Sequence, residues 1–200
     1  TTDTHFRELS GLEGTGNQWS LPIEHGIPKI REVIRDYSVS GVRSPPGSGK
    51  TMILPDILQE WAESRGQPLQ QAVMIVFPTQ YGCLNIRNSL IDFRQKDSWE
   101  LTLRTGVDKE DWFDENYTKF QVVTYGMVWH WLVKGGTQAR DKLYHQNCCF
   151  LLDEFSGKVA GGDQNELTAD PQTTEIARLL ARFVLQNSGT HRLLVTGAEI

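Results

Sequence analysis

Short apolar runs alternate along the chain with longer stretches in which apolar residues recur every three or four positions. These are the periods expected of buried strands and of helices packed on them. Pro28 opens the first helical pattern, with Ile30, Val33, Ile34 and Tyr37 on one face, and residues 38–43 then read as a short strand. From Lys50, a stripe of Ile53, Leu54, Ile57, Leu58 and Trp61 predicts a second helix, in which Pro55 is expected to remove a hydrogen bond and cause a bend. Residues 72–77 form an apolar run closed by Pro78 and Thr79, followed by a helical pattern through Leu84, Leu90, Ile91 and Phe93. Residues 100–104 and 121–124 read as further strands, the latter followed by a helix carrying Val128, Trp129 and Leu132. Residues 148–152 are continuously apolar, as in a strand covered on both faces. Asp170 and Pro171 cap a helix carrying Ile176, Leu179, Leu180, Phe183 and Val184, and residues 191–196 form the last strand. Strands alternating with helices predict an α/β fold, a mostly parallel sheet with helices on both faces and ligands at the strand carboxyl ends.

Residues 1–20 are polar, hold Gly11, Gly14 and Gly16 without a preceding strand, and read as a leader or linker. Residues 21–200 then form one domain, interrupted at 156–169 by a glycine-containing stretch without apolar period, expected to be a mobile loop. Three cysteines, two of them adjacent, give no disulfide framework. With no apolar stretch approaching the ~20 residues of a membrane span and no secretory leader, an intracellular location without a membrane partner is expected. The first residue is not Met, which suggests a piece of a longer polypeptide. The net charge of −5 disfavours a uniformly basic nucleic-acid surface but leaves room for a local basic groove.

The most informative chemistry lies between the first strand and the second helix, in Ser44-Pro45-Pro46-Gly47-Ser48-Gly49-Lys50-Thr51. Glycines and small residues let successive backbone N–H groups turn inward around a polyphosphate, and the following helix presents its positive end. Pro46, Gly47, Ser48, Gly49, Lys50, Thr51 and Met52 are the candidate nucleotide-binding residues, with Lys50 reaching the β- and γ-phosphates and Thr51 offering a hydroxyl to Mg2+. Ser44 stands where the strict pattern has glycine. The apolar run at 148–152 leads directly into Asp153 and Glu154. At a strand carboxyl end, Asp153 would hold the metal together with Thr51 and Glu154, and Glu154 would orient and deprotonate the attacking water. A surface turn and a pair of solvated acids are the plainer alternatives, and both lose ground when the two motifs occur in this order.

In the order of its motifs the chain resembles the first RecA-like domain of superfamily-2 helicases, closest to the DEAH-box and flavivirus-type polyprotein helicases. Residues 47–55 resemble motif I, Phe77-Pro78-Thr79 motif Ia, and Thr124-Tyr125-Gly126-Met127 the nucleic-acid-contacting Thr-x-Gly element. Asp153-Glu154-Phe155-Ser156 stands at the Asp-Glu-x-His box, and Thr196-Gly197-Ala198 at the Ser-Ala-Thr motif. The resemblance implies a RecA-like P-loop domain, ATP and Mg2+ as cofactors, and nucleic acid as partner, RNA more than DNA. It also implies backbone contacts at Thr79, Thr124 and Gly126, with Arg104 a weaker candidate, and a second RecA-like domain, absent from this chain, that supplies arginines to the cleft. The chain alone is then expected to be a weak ATPase with low, salt-sensitive nucleic-acid affinity.

Two positions depart from the family pattern. Ser156 replaces the box histidine and Ala198 the last hydroxyl residue of the Ser-Ala-Thr motif, which suggests hydrolysis without efficient coupling to strand movement. A degenerate helicase domain that binds nucleotide or a protein partner is therefore an alternative, and an unrelated P-loop kinase, with Lys158 as its only hint of a lid, is a third. Aromatic residues from Trp112 to Trp131 suit core packing better than base stacking. Cys148 and Cys149, expected on opposite faces of a strand, do not suit a zinc site.

Overall fold

The computed structural model describes residues 26–43, 50–66, 71–106, 119–155 and 171–197. The expected leader, the phosphate-loop residues Pro46, Gly47, Ser48 and Gly49, the loop at 156–169 with Ser156 and Lys158, the Asp170 cap, Ala198 and the aromatic residues Trp112, Phe113 and Tyr117 lie outside them.

Six strands form one sheet: β1 Val39–Arg43, β2 Ala72–Phe77, β3 Leu101–Arg104, β4 Phe120–Thr124, β5 Asn147–Leu152 and β6 Arg192–Gly197. Every pairing is parallel, in the order β1-β6-β5-β2-β4-β3. This is the α/β architecture that the alternating periods predict. Parallel strands need crossovers, and the crossover helices cover both faces. On one face lie α1 Ile27–Asp36, α2 Lys50–Ser64 and α3 Gln80–Arg94, packed on Val73, Ile75, Phe120, Val122, Leu151 and Leu194. On the other lie α4 Tyr125–Trp129, the π-helical turn His130–Lys134, α5 Gly136–Gln146 and α6 Pro171–Gln186, packed on Met74, Val76, Val123, Phe150, Leu152 and Leu193. The alternation Val73/Ile75 against Met74/Val76 along β2 shows why its sequence carries no polar position: both faces are dry.

Helix α2 holds the buried Pro55 inside it and runs on to Ser64. Some local expectations change. Helix α3 buries Cys83, Ile86 and Leu90, whereas Leu84 and Phe93, expected on its core face, are 39% and 78% exposed. Glu100 ends a short 3-10 turn instead of opening β3. The register of β2 against β5 slips, so that Ala72 pairs with Asn147 and Val73 with Cys149. Cys148 is thus the extra residue of a β-bulge, and both cysteines enter the same core cluster where simple alternation had put them on opposite faces. Helix α5, with only Leu143 and Tyr144 buried, was not legible from its pattern. The chain enters it through Gly136 at φ +77°, a conformation that favours glycine.

Arg192 pins the amino end of β6. Its guanidinium donates to the carbonyls of Ile34 and Arg35 at the end of α1 and to those of Ser188 and His191, and it lies 4.3 Å from the centre of the Trp61 ring. Among the described residues, no helix is long and apolar enough to cross a membrane.

Candidate nucleotide site

All six strands point the same way, so the residues that follow them gather along one edge of the sheet. Asp153 follows β5 directly, and its N–H still donates to Val76 O at 2.9 Å, extending the ladder by one step. The side chain is 1% exposed. A carboxylate so far from water needs donors, and three are present. Thr51 Oγ1, in the first turn of α2, donates to Asp153 Oδ2 at 2.6 Å. Thr196 Oγ1, on β6, donates to Asp153 Oδ1 at 2.8 Å, and the Glu154 N–H donates to the same oxygen at 2.8 Å. Because β6 lies between β1 and β5, the Thr196 hydroxyl sits between β1 and the strand that leads into Asp153.

Lys50, first residue of α2, is buried at 6% exposure. Its Nζ lies 4.0 Å from Glu154 Oε1, the outer limit of an ion pair, and the Glu154 side chain is half exposed. A buried ammonium at the positive end of a helix is disfavoured by the helix dipole, and the combination favours an anionic ligand. Glu154 has φ +54°, the left-handed region that side chains other than glycine enter at a cost of about 1–2 kcal/mol. The backbone around it is held: Phe155 N–H donates to Thr196 O at 2.8 Å, and the buried Tyr125 hydroxyl donates to Asp153 O at 3.0 Å. Burial first, then the charges of Asp153 and Glu154, pushes the Tyr125 phenol well above its ordinary value, so it remains a donor.

Lys50, Thr51, Asp153 and Glu154 are therefore brought together. Met52 instead packs against the core between the sheet and its helices. Thr79 lies just past β2 and Thr124 closes the neighbouring β4, and both cap helices. Thr79 Oγ1 accepts from Gly82 N–H at 3.0 Å and Thr124 Oγ1 from Met127 N–H at 3.3 Å. Gly126 is exposed beside Thr124. Two residues of the site escaped the sequence reading. Thr196 was noted only as the first residue of a motif, and Tyr125 only as the variable position of the Thr-x-Gly element and one aromatic in a dense stretch. Neither hydroxyl has a sequence signal for its bond to Asp153, because the partners come from separate elements.

The oxygens of Thr51 and Asp153 are hard donors of the kind Mg2+ takes, and Mg2+ usually binds one or two protein oxygens together with water and phosphate. Among the described residues, no group of three or more His, Cys, Asp or Glu side chains is placed to hold a metal ion. A cation here would thus be shared between this hydroxyl–carboxylate pair and the ligand's own oxygens. No protein-family model matches the chain, and no curated protein is similar enough to register as a relative.

Proposed function

We propose that this edge of the sheet binds Mg-ATP and hydrolyses it, as the ATP-binding half of a helicase-type motor acting on nucleic acid, RNA in preference to DNA. The observation that carries the nucleotide reading is the buried Asp153 carboxylate tied to the hydroxyls of Thr51 and Thr196, beside a buried Lys50 at a helix N-terminus. The helicase reading rests on the order of the sequence motifs, and the RNA preference on family resemblance alone.

Lys50 would balance the charge of the β- and γ-phosphates. Thr51 and Asp153 would hold the magnesium ion, which when bound neutralises charge on the phosphates. Glu154, half exposed at the same edge, would take a proton from water as the water oxygen bonds to the γ-phosphorus. The bond from that phosphorus to the bridging oxygen breaks, and ADP leaves with the electron pair. Thr79, Thr124 and Gly126 lie at the carboxyl ends of β2 and β4 along the same edge, which suits contact with a strand of nucleic acid crossing it. The serine at position 156 and the alanine at 198 favour a second reading, a domain that binds nucleotide without productive coupling.

Mg-ATP binding and turnover, measured with and without single-stranded RNA, separate these readings. Lys50→Ala is expected to lose binding, and Glu154→Gln to bind but not turn over. Binding without turnover in the wild-type chain together with its partner domain would favour the second reading. No binding at millimolar ATP would exclude both.

A further inference from the structure

We propose that Tyr125 is a positioning residue for Glu154, an inference that rests on the nucleotide reading above and deepens it. The Tyr125 ring is 9% exposed, and its hydroxyl reaches across two strand positions to donate to the main-chain carbonyl of Asp153 at 3.0 Å. That carbonyl belongs to the peptide joining Asp153 to Glu154, and Glu154 is one of two non-glycine residues among the described ones with positive φ. A strained residue persists where its surroundings over-determine it. Three bonds do so here. Tyr125 holds the carbonyl before Glu154, Asp153 Oδ1 holds the N–H of Glu154, and Thr196 O holds the N–H of Phe155.

The three restraints differ in what they connect. The bonds to Asp153 Oδ1 and Thr196 O stay within the nucleotide cluster of β5 and β6. The bond from Tyr125 comes from outside it, from the first residue of α4, whose preceding residue is the cap Thr124 and whose next residue is the exposed Gly126. The backbone proposed to meet nucleic acid and the peptide that aims Glu154 are therefore joined through one side chain. A shift of the α4 N-terminus moves the Tyr125 ring, and the ring moves the carbonyl on which the orientation of Glu154 depends. Tyr125 acts through the peptide that carries Glu154.

Tyr125→Phe removes the hydroxyl and keeps the ring in its apolar setting. The test uses the full chain with RNA present and reads amide hydrogen exchange at Glu154 and Phe155, the dissociation constant for Mg-ATP, and kcat. The expected result is faster exchange at these two amides by about tenfold, with exchange in β2 unchanged. Turnover falls about tenfold at unchanged Mg-ATP affinity, because a small misplacement of a catalytic group lowers rate without lowering binding. Unchanged exchange at Glu154 and Phe155 would overturn the proposal, as would altered exchange with wild-type kcat. Loss of Mg-ATP affinity in proportion to the loss of turnover would also overturn it, since that marks general damage to the site. A wild-type chain that binds no Mg-ATP overturns the nucleotide reading and this inference with it, whereas wild-type binding and turnover with an unaffected Tyr125→Phe overturns this inference alone.

Discussion

Asp153 gathers bonds from residues 102 and 43 positions away in sequence, and both come from threonine hydroxyls. Removing either takes a donor away from a buried carboxylate, a loss larger than that of an exposed hydrogen bond. Thr196→Val, which preserves shape, is expected to lower unfolding free energy by about 1–3 kcal/mol, read as a lower urea midpoint at unchanged slope. His191 gives a second test at this scale, far from the site. Its Nε2 lies 2.9 Å from Tyr144 O and so donates, its Nδ1 lies 2.7 Å from the Thr190 hydroxyl, and the ring meets Phe183 edge-on. Burial, opposed by the bond to the Tyr144 carbonyl and assisted by nearby His145, lowers its pKa from the ordinary 6.5. The unfolded chain then binds more protons than the folded one in the window below 6.5. Stability is fully present above that window and declines as pH falls through it. Urea midpoints measured between pH 7.5 and 5 should drop towards acid, and His191→Gln should flatten that part of the profile.

Among the elements, those buried on both faces were the most legible. The continuous apolar runs of β2 and β5 leave few alternatives, and the observed β2 has the expected ends. Helix α5 was missed because a surface helix with two core contacts leaves hardly any apolar period. The bulge at Cys148 was missed because register is set by the neighbouring strand and not by the strand's own residues. Thr79 and Thr124 were read as nucleic-acid contacts, and the structure gives their hydroxyls a prior task as N-caps of α3 and α4. Capping uses the oxygen as acceptor and leaves the hydroxyl proton available, so the two roles are compatible and separable. Thr79→Ala is expected to lower stability by about 1 kcal/mol. Thr79→Asp keeps the cap and suits the helix dipole, yet places a negative charge where RNA phosphates are proposed to lie. It should retain the melting temperature and weaken RNA binding in a titration at low salt. Equal RNA affinity in Thr79→Asp and the wild type would remove Thr79 from the proposed interface.

On the scale of the whole molecule, the parallel sheet is what turns a linear order of motifs into a site. The segments around Lys50, Asp153 and Thr196 are far apart in sequence, and each follows or closes a strand on the same edge. That Lys50, Thr51, Asp153 and Glu154 would meet was legible because each carries a distinctive residue type beside an apolar run. The roles of Thr196 and Tyr125 were not, since a hydroxyl that serves a carboxylate or carbonyl at the end of another strand looks like any other threonine or tyrosine. The central claim is that this edge binds a magnesium-complexed nucleoside triphosphate. The most direct test is equilibrium binding of a fluorescent ATP analogue to the wild-type chain and to Lys50→Ala, each with Mg2+ and with EDTA. Saturable binding to the wild type that weakens at least about tenfold in Lys50→Ala and depends on Mg2+ is the predicted result. Equal affinity in the two chains, or binding indifferent to Mg2+, would contradict the account.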